Sequence, residues 1–186
     1  MDKNEEALIL RAQEGNLHSF ERLVHLHDEK VYGVLMSILG DAEDARDLYQ
    51  DVFIKVYRSI HKFQFKSEFS TWLIRIAINA AITYRKKRSI KRSIFRSNIG
   101  GDEQLEAQTS SRTPEEELLN AELNEQIHIG ISALPKQQKA VFVLRHYHGY
   151  KLNEIADIME CSNGTVKNYL FRATQKMRDA LRLYHG

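Results

Sequence analysis

Apolar residues in this chain recur mostly at intervals of three and four, the period of helices that bury one face, and strand-like alternation is weak. Residues Glu5 to Gln13 predict a short helix closed by Gly15. From about His18 to Leu39, Phe20, Leu23, Val24, His27, Val31, Leu35 and Ile38 share one face of a longer helix, and Gly40 is placed to cap it. Between about Ala42 and Ile60, Ala45, Leu48, Tyr49, Val52, Phe53, Val56, Tyr57 and Ile60 form a wide core-facing stripe. A loop from His61 to Glu68 carries Phe63 and Phe65. The next helix opens at Ser70 with the stripe Phe69, Trp72, Leu73, Ile76, Ala77, Ala80, Ala81 and Tyr84.

The pattern dissolves from about Ser89 to Arg112, where serines and glycines predict a flexible linker. It restarts sharply at Thr113-Pro114-Glu115-Glu116, a capping box with proline at the first helical position. That helix runs through Leu119, Leu123, Ile127 and Ile131 to Leu134-Pro135, and another spans about Lys136 to Tyr147. Leu152, Ile155, Ala156 and Met159 then face a second stripe, Val166, Leu170, Ala173, Met177 and Leu181, across a turn at Glu160 to Gly164. Two short stripes separated in this way predict a helix-turn-helix, with Ser162 or Asn163 capping the second helix and Gly164 giving room for close backbone approach. The expected fold is all-α: two small helical domains, 1–92 and 113–186, joined by a flexible linker at 93–112, the second ending in the helix-turn-helix.

Composition narrows the class. A chain of 186 residues with 42% hydrophobic and 28% charged residues suits one ordinary domain or two small helical ones. The lone Cys161 excludes an intramolecular disulfide, and no apolar run is long enough to span a bilayer. The start, MDKNEEALIL, is too acidic for a signal peptide, so a cytoplasmic location without membrane insertion is expected. Net charge is only +2, but it is unevenly distributed.

The polar faces carry the candidate chemistry. Asp41 and Glu43 fit the first turn of their helix, where negative charge offsets the dipole. Asp44, Asp47, Gln50 and Asp51 gather opposite the apolar stripe. For the last three, which lie deeper in the helix, a solvated face and a docking surface for a basic partner both fit. Opposite the Trp72 stripe lie Arg75, Asn79 and Thr83, followed by Arg85, Lys86, Lys87, Arg88, Lys91, Arg92 and Arg96 with no acid among them. Aromatic and polar residues running into such a cationic segment suit a single strand bound by stacking and phosphate contact, with a solvated basic linker as the alternative. On the last helix, Thr165, Lys167, Asn168, Arg172, Gln175 and Lys176 form a face of the type that reads base edges and grips phosphates in a major groove, with the solvated side of an ordinary helical hairpin as the alternative. No catalytic constellation, metal-ligand spacing or cofactor motif is present, so neither an enzyme nor a cofactor is expected; the histidines read as surface or satisfied groups.

Four stretches, SFERLVHLHDEKVYGVLMSILGD, DAEDARDLYQDVFIKVYRSI, FSTWLIRIAINAAITYRKKR and ALPKQQKAVFVLRHYHGYKLNEIADIMECSNGTVKNYLFRATQKMR, resemble the extracytoplasmic-function sigma factors, compact two-domain promoter-specificity subunits of bacterial RNA polymerase. The second and third stretches are the more specific. The resemblance implies an alternative sigma factor, serving a stress or envelope response, that binds core polymerase and directs promoter recognition, −10 melting and initiation. Asp44, Asp47, Gln50 and Asp51 would dock on the clamp helices of the largest subunit. Phe63, Phe65, Lys66, Ser67, Phe69, Ser70 and Trp72 would lie around the melted −10 strand, with Arg75, Asn79, Arg85 and Lys86 on duplex or backbone. Thr165, Lys167, Asn168, Phe171 and Arg172 would contact the −35 duplex. Trp72 lies on the core stripe and Phe171 borders one, so packing and DNA contact remain open for both. The resemblance also implies control by an anti-sigma factor. An autonomous helix-turn-helix regulator is the alternative, and it leaves the first domain without a task.

Overall fold

Several of the helices begin where the sequence supplies a side-chain acceptor for their first free N–H groups. Asn16 accepts the Ser19 N–H at 2.9 Å, Asp41 accepts the Asp44 N–H at 2.8 Å, and Ser162 accepts the Thr165 N–H at 3.1 Å. The computed structural model describes the backbone of residues 2–95 and 114–182 and the side chains of 2–84 and 123–182. Its elements are α1 (Lys3–Gln13), α2 (Leu17–Leu39), α3 (Ala42–Ser59), a 3-10 turn (Ile60–Lys62), α4 (Phe69–Phe95), α5 (Pro114–Ala133), α6 (Lys136–His146), α7 (Leu152–Met159) and α8 (Asn163–Arg182). Among the described residues there is no strand, in agreement with the all-α expectation.

In the first domain α2 is the central element, packed on α1, α3 and α4, with α3 also against α4. Its core includes Ile9, Leu23, Val31, Leu35, Val52, Phe69, Leu73 and Ile78, all nearly inaccessible to solvent. Each side chain of this kind contributes about 1.5–3 kcal/mol when buried. Gly40 closes α2 in the left-handed conformation expected of it, at φ 69°.

In the second domain α8 packs on α5, α6 and α7 around Val141, Leu144, Ile155, Ile158 and Val166. A Cβ on Gly130 would lie 3.0 Å from Met177 Cε and 3.1 Å from its sulfur, so glycine lets α5 approach α8 this closely. Gly164 does not play the comparable part expected of it. A Cβ there would meet only Ser162 Oγ, at 3.7 Å, because the turn into α8 points that position outward. The cap of α8 is Ser162, and Asn163 is already its first helical residue.

Two boundaries differ from expectation. Asp41 precedes α3 as its N-cap instead of lying in the first turn. α4 continues through Phe95, three residues into the segment expected to be linker, because no glycine or proline interrupts Ser89 to Phe95. The rest of that linker and the Thr113 cap lie outside the described residues.

The two domains touch along α4 against α7 and α2 against α6. Arg75 Nη1 donates to Glu160 Oε1 at 2.8 Å and Nη2 to the Asp157 carbonyl at 2.6 Å. Lys136 Nζ donates to the Ile82 carbonyl at 3.2 Å, and Lys30 Nζ lies 4.9 Å from the centre of the Tyr150 ring. Ser37 gives its proton to the Gly33 carbonyl at 2.8 Å, so at 3.2 Å its oxygen accepts from His148 Nε2.

Candidate nucleic-acid interface

The acidic helix α3 presents an exposed polar stripe. Asp47, Gln50 and Asp51 are solvent-exposed, one helical turn apart, on the side away from Leu48, Val52 and Val56. Asp44 differs from its three neighbours. It is half-buried, and its Oδ1 accepts the Tyr84 hydroxyl at 2.9 Å, which ties α3 to α4. Burial, and then the charges of Asp47, Asp41, Asp51 and Glu43, push the Tyr84 hydroxyl pKa up, so the phenol stays a proton donor.

The loop between α3 and α4 is built on an aromatic cluster. Phe63 is 5% exposed and Phe69 1% exposed, with ring centroids 5.5 Å apart in an edge-on arrangement. Both side chains belong to the core, and they support the loop without offering a stacking face. Trp72 packs on them at 5.3 and 5.6 Å and is half-buried, so it serves the core along one side. Phe65 stacks on Phe63 at 5.0 Å, half-buried, with φ 58°, in the left-handed region that bulky residues seldom adopt. Lys66 is exposed, and Ser67 and Ser70 are partly so. These residues, with the open faces of Phe65 and Trp72, make up the accessible part of the loop and the first turn of α4. On α4 Asn79 is exposed, whereas Arg75 is engaged by α7; the side chains of Arg85 and Lys86 lie outside the described residues.

The face of α8 opposite its core stripe is open. Lys167, Asn168, Phe171 and Arg172 are all exposed, while Val166, Ala173 and Met177 are buried behind them. Phe171, at 65% exposure, has little packing role and stands out beside Lys167 and Arg172. Thr165 is partly buried, with its Oγ1 2.9 Å from Ser162 Oγ at the start of the helix. The open side chains cover the N-terminal half of the helix, the part that contacts base edges when such a helix lies in a major groove.

The remaining titratable groups support structure. His27 Nε2 is 2.8 Å from Glu5 Oε1, fastening α1 to α2. Burial raises the pKa of the Cys161 thiol, and among the described residues no group of three or more His, Cys, Asp or Glu is arranged to hold a metal. Sequence reasoning missed Gln13, Ser37, His148 and Glu160. Each acts across the fold, and no local pattern in the sequence could signal that.

Fold and faces together define a two-domain helical protein with a helix-turn-helix at the end of the second domain. Residues 23–90 match the model of Sigma-70 region 2, and residues 125–177 that of Sigma-70, region 4. The chain is 35% identical over 183 residues to an ECF RNA polymerase sigma-E factor of Haemophilus influenzae, a match covering 95% of each chain. It is 32% identical over 182 residues to an RNA polymerase sigma-H factor of Pseudomonas aeruginosa, covering 96% of this chain and 94% of that one. A solved structure of the sigma factor RpoE in complex with the anti-sigma factor NepR, from Bartonella quintana, has the same fold. Its TM-score is 0.65 at 22% identity, over 88% of this chain and 96% of that one. The chain belongs to the ECF RNA polymerase sigma factors. Among the described residues no helix is long and apolar enough to cross a membrane.

Proposed function

We propose that this chain binds core RNA polymerase through Asp47, Gln50 and Asp51, reads the −35 duplex with α8, and opens and holds the −10 element with residues 63–70 and α4. The observation that carries the reading is the pairing, in one chain, of an exposed acidic stripe on one domain with an exposed Lys167, Asn168, Phe171 and Arg172 face on the other. An autonomous regulator would need only the second. The role is non-catalytic: extruding a base from the duplex costs a few kcal/mol, and stacking on an aromatic face returns about 1–3 kcal/mol, so binding alone can hold a melted strand. With Phe63 and Phe69 buried, Phe65 and Trp72 are the rings left to stack. Acting on the chromosome with polymerase places the protein in the cytoplasm. An anti-sigma partner is proposed by analogy with the RpoE complex.

Initiation requires the two domains to separate. Elements centred about 25 base pairs apart are about 85 Å apart along B-form DNA, at about 3.4 Å per step. A compact chain of 186 residues has a radius of gyration of about 16 Å. Domains joined through Arg75 and Glu160 therefore cannot reach both elements at once, and this closed form is a state that precedes promoter binding. The test is to map transcription starts from a promoter library with core polymerase alone and with the protein added. New discrete starts that share a −35 and a −10 sequence support the reading; unchanged starts together with tight specific duplex binding by the free protein contradict it.

A further inference from the structure

We infer that Gln13, the last residue of α1, is the positioning residue for the loop that receives the −10 strand. This rests on the proposed role of residues 63–70. Gln13 Nε2 donates one proton to the Ile60 carbonyl at 3.0 Å and the other to the Phe63 carbonyl at 2.8 Å, across nearly fifty residues of sequence. The Ile60 carbonyl also accepts the Phe63 N–H at 3.0 Å, so the turn that launches the loop is closed by its own bond and pinned at both ends from outside. A primary amide supplies two neutral donors on one atom; Met has none, and Glu would set oxygens against both carbonyls.

What Gln13 holds is a conformation the loop's own sequence does not favour. Phe63 is the root of the aromatic cluster, and Phe65, two residues on, has φ 58° with its ring packed on Phe63. A bulky residue persists in the left-handed region only where its surroundings over-determine it. The two amide bonds at Ile60 and Phe63, together with that ring contact, are such surroundings. Lys66 and Ser67, immediately beyond, inherit their placement from them. α1 lies outside the residues that match region 2, 23–90, yet it buries Leu8, Ile9 and Ala12 and delivers this one side chain to the loop. It acts as a brace.

The test uses holoenzyme reconstituted with Gln13→Met, which keeps the size and removes the donors, and with Gln13→Glu. Initiation is measured on a cognate promoter, on templates with single −10 substitutions and on templates with single −35 substitutions, at a temperature where circular dichroism shows the variants folded. Discrimination among −10 sequences should fall about tenfold with Gln13→Met and further with Gln13→Glu, since small misplacements of contacting groups have effects of this size or larger. Dependence on the −35 sequence and affinity for core should stay within about twofold. A merely structural loss lowers the active fraction equally on all templates; an unchanged −10 discrimination ratio overturns the inference. The double variant Lys66→Ala, Ser67→Ala separates the role of Gln13 from the role of the loop. If it alters −10 discrimination and Gln13→Met does not, Gln13 has no positioning role; if neither alters it, the loop is not the −10 site and both ideas fail.

Discussion

Arg75 on α4 and Glu160 at the end of α7 form an ion pair at 2.8 Å that joins the two domains, and the same guanidinium also donates to the Asp157 carbonyl. Arg75 is a candidate −10 contact, so its engagement with α7 and its engagement with DNA exclude each other. Glu160 can hold this position because its φ is 51°, which turns the chain out of α7 and leaves the carboxylate facing α4. The Glu160 side chain is 65% exposed, which limits the pair to about 0.2–1 kcal/mol. Glu160→Gln should therefore raise the extended population of the free protein by about fivefold at most. It should also reduce the sensitivity of that population to salt. Energy transfer between labels on α2 and α6 measures this, and identical distance distributions for both proteins at low and high salt would count against it.

His148 gives closure a pH dependence. Burial against α2 and then the charge of Lys30 hold its pKa below the ordinary value, partly offset by a bond to the Gly33 backbone. On opening, the ring returns to about 6.5. A histidine depressed in the closed form favours closure fully above that value, and the advantage is lost as pH falls through it. Moving from pH 8 to 5.5 should increase the extended fraction, and His148→Gln should flatten the response. The same labelled protein, titrated across that range, checks it; a more compact form in acid would refute it.

On α3, the double variant Asp47→Lys, Asp51→Lys should weaken core binding by tenfold or more, on the order of 1.4 kcal/mol or above, while leaving the fold intact. Both side chains are exposed, and neither caps a helix. Asp44→Ala should behave differently, with a lower melting temperature, since it removes the acceptor of the Tyr84 hydroxyl. Competition for core polymerase together with thermal melts separates the two effects. Unchanged competition by the double lysine variant would remove α3 from the docking surface.

On α8, Arg172→Ala should lower promoter use selectively with respect to one −35 position, by about 1–3 kcal/mol, and Lys167→Ala should do so more evenly across sequences if it grips phosphate. Phe171→Ala should leave stability nearly unchanged, because the ring is 65% exposed, and lower use of promoters that offer it an apolar base edge such as a thymine methyl. Initiation rates on a panel of −35 substitutions distinguish these outcomes. Equal loss on every template with Arg172→Ala would mean a backbone contact.

Much of the fold is legible in the sequence because helical stripes and caps are local. Phe20 to Ile38, Ala45 to Ile60 and Val166 to Met177 declare most of their buried faces by spacing, although Tyr57, expected on the second of these stripes, is 45% exposed; Gly40 and Ser162 declare helix ends by chemistry. What spacing cannot show is which of two aromatic neighbours faces solvent. Phe63, Phe65, Phe69 and Trp72 look alike on a loop and first helical turn, yet two are core and two are half-open because α1 and α2 close over one side. Asp44 is likewise indistinguishable from Asp47 until α4 brings Tyr84 to it. The contacts between domains, Arg75 with Glu160 and Ser37 with His148, join residues about a hundred positions apart or close to it. No periodicity reports them.

On the proposed function, one chain reads two promoter elements only in company with polymerase. The direct measurement is run-off transcription by core polymerase with the purified protein, on one promoter fragment in four forms: intact, −35 altered, −10 altered, and both elements intact with half a helical turn inserted between them. Initiation is expected on the intact fragment alone, with strong loss on the other three and none without the protein. Initiation that is indifferent to the −10 element or to the spacing would contradict the proposed function.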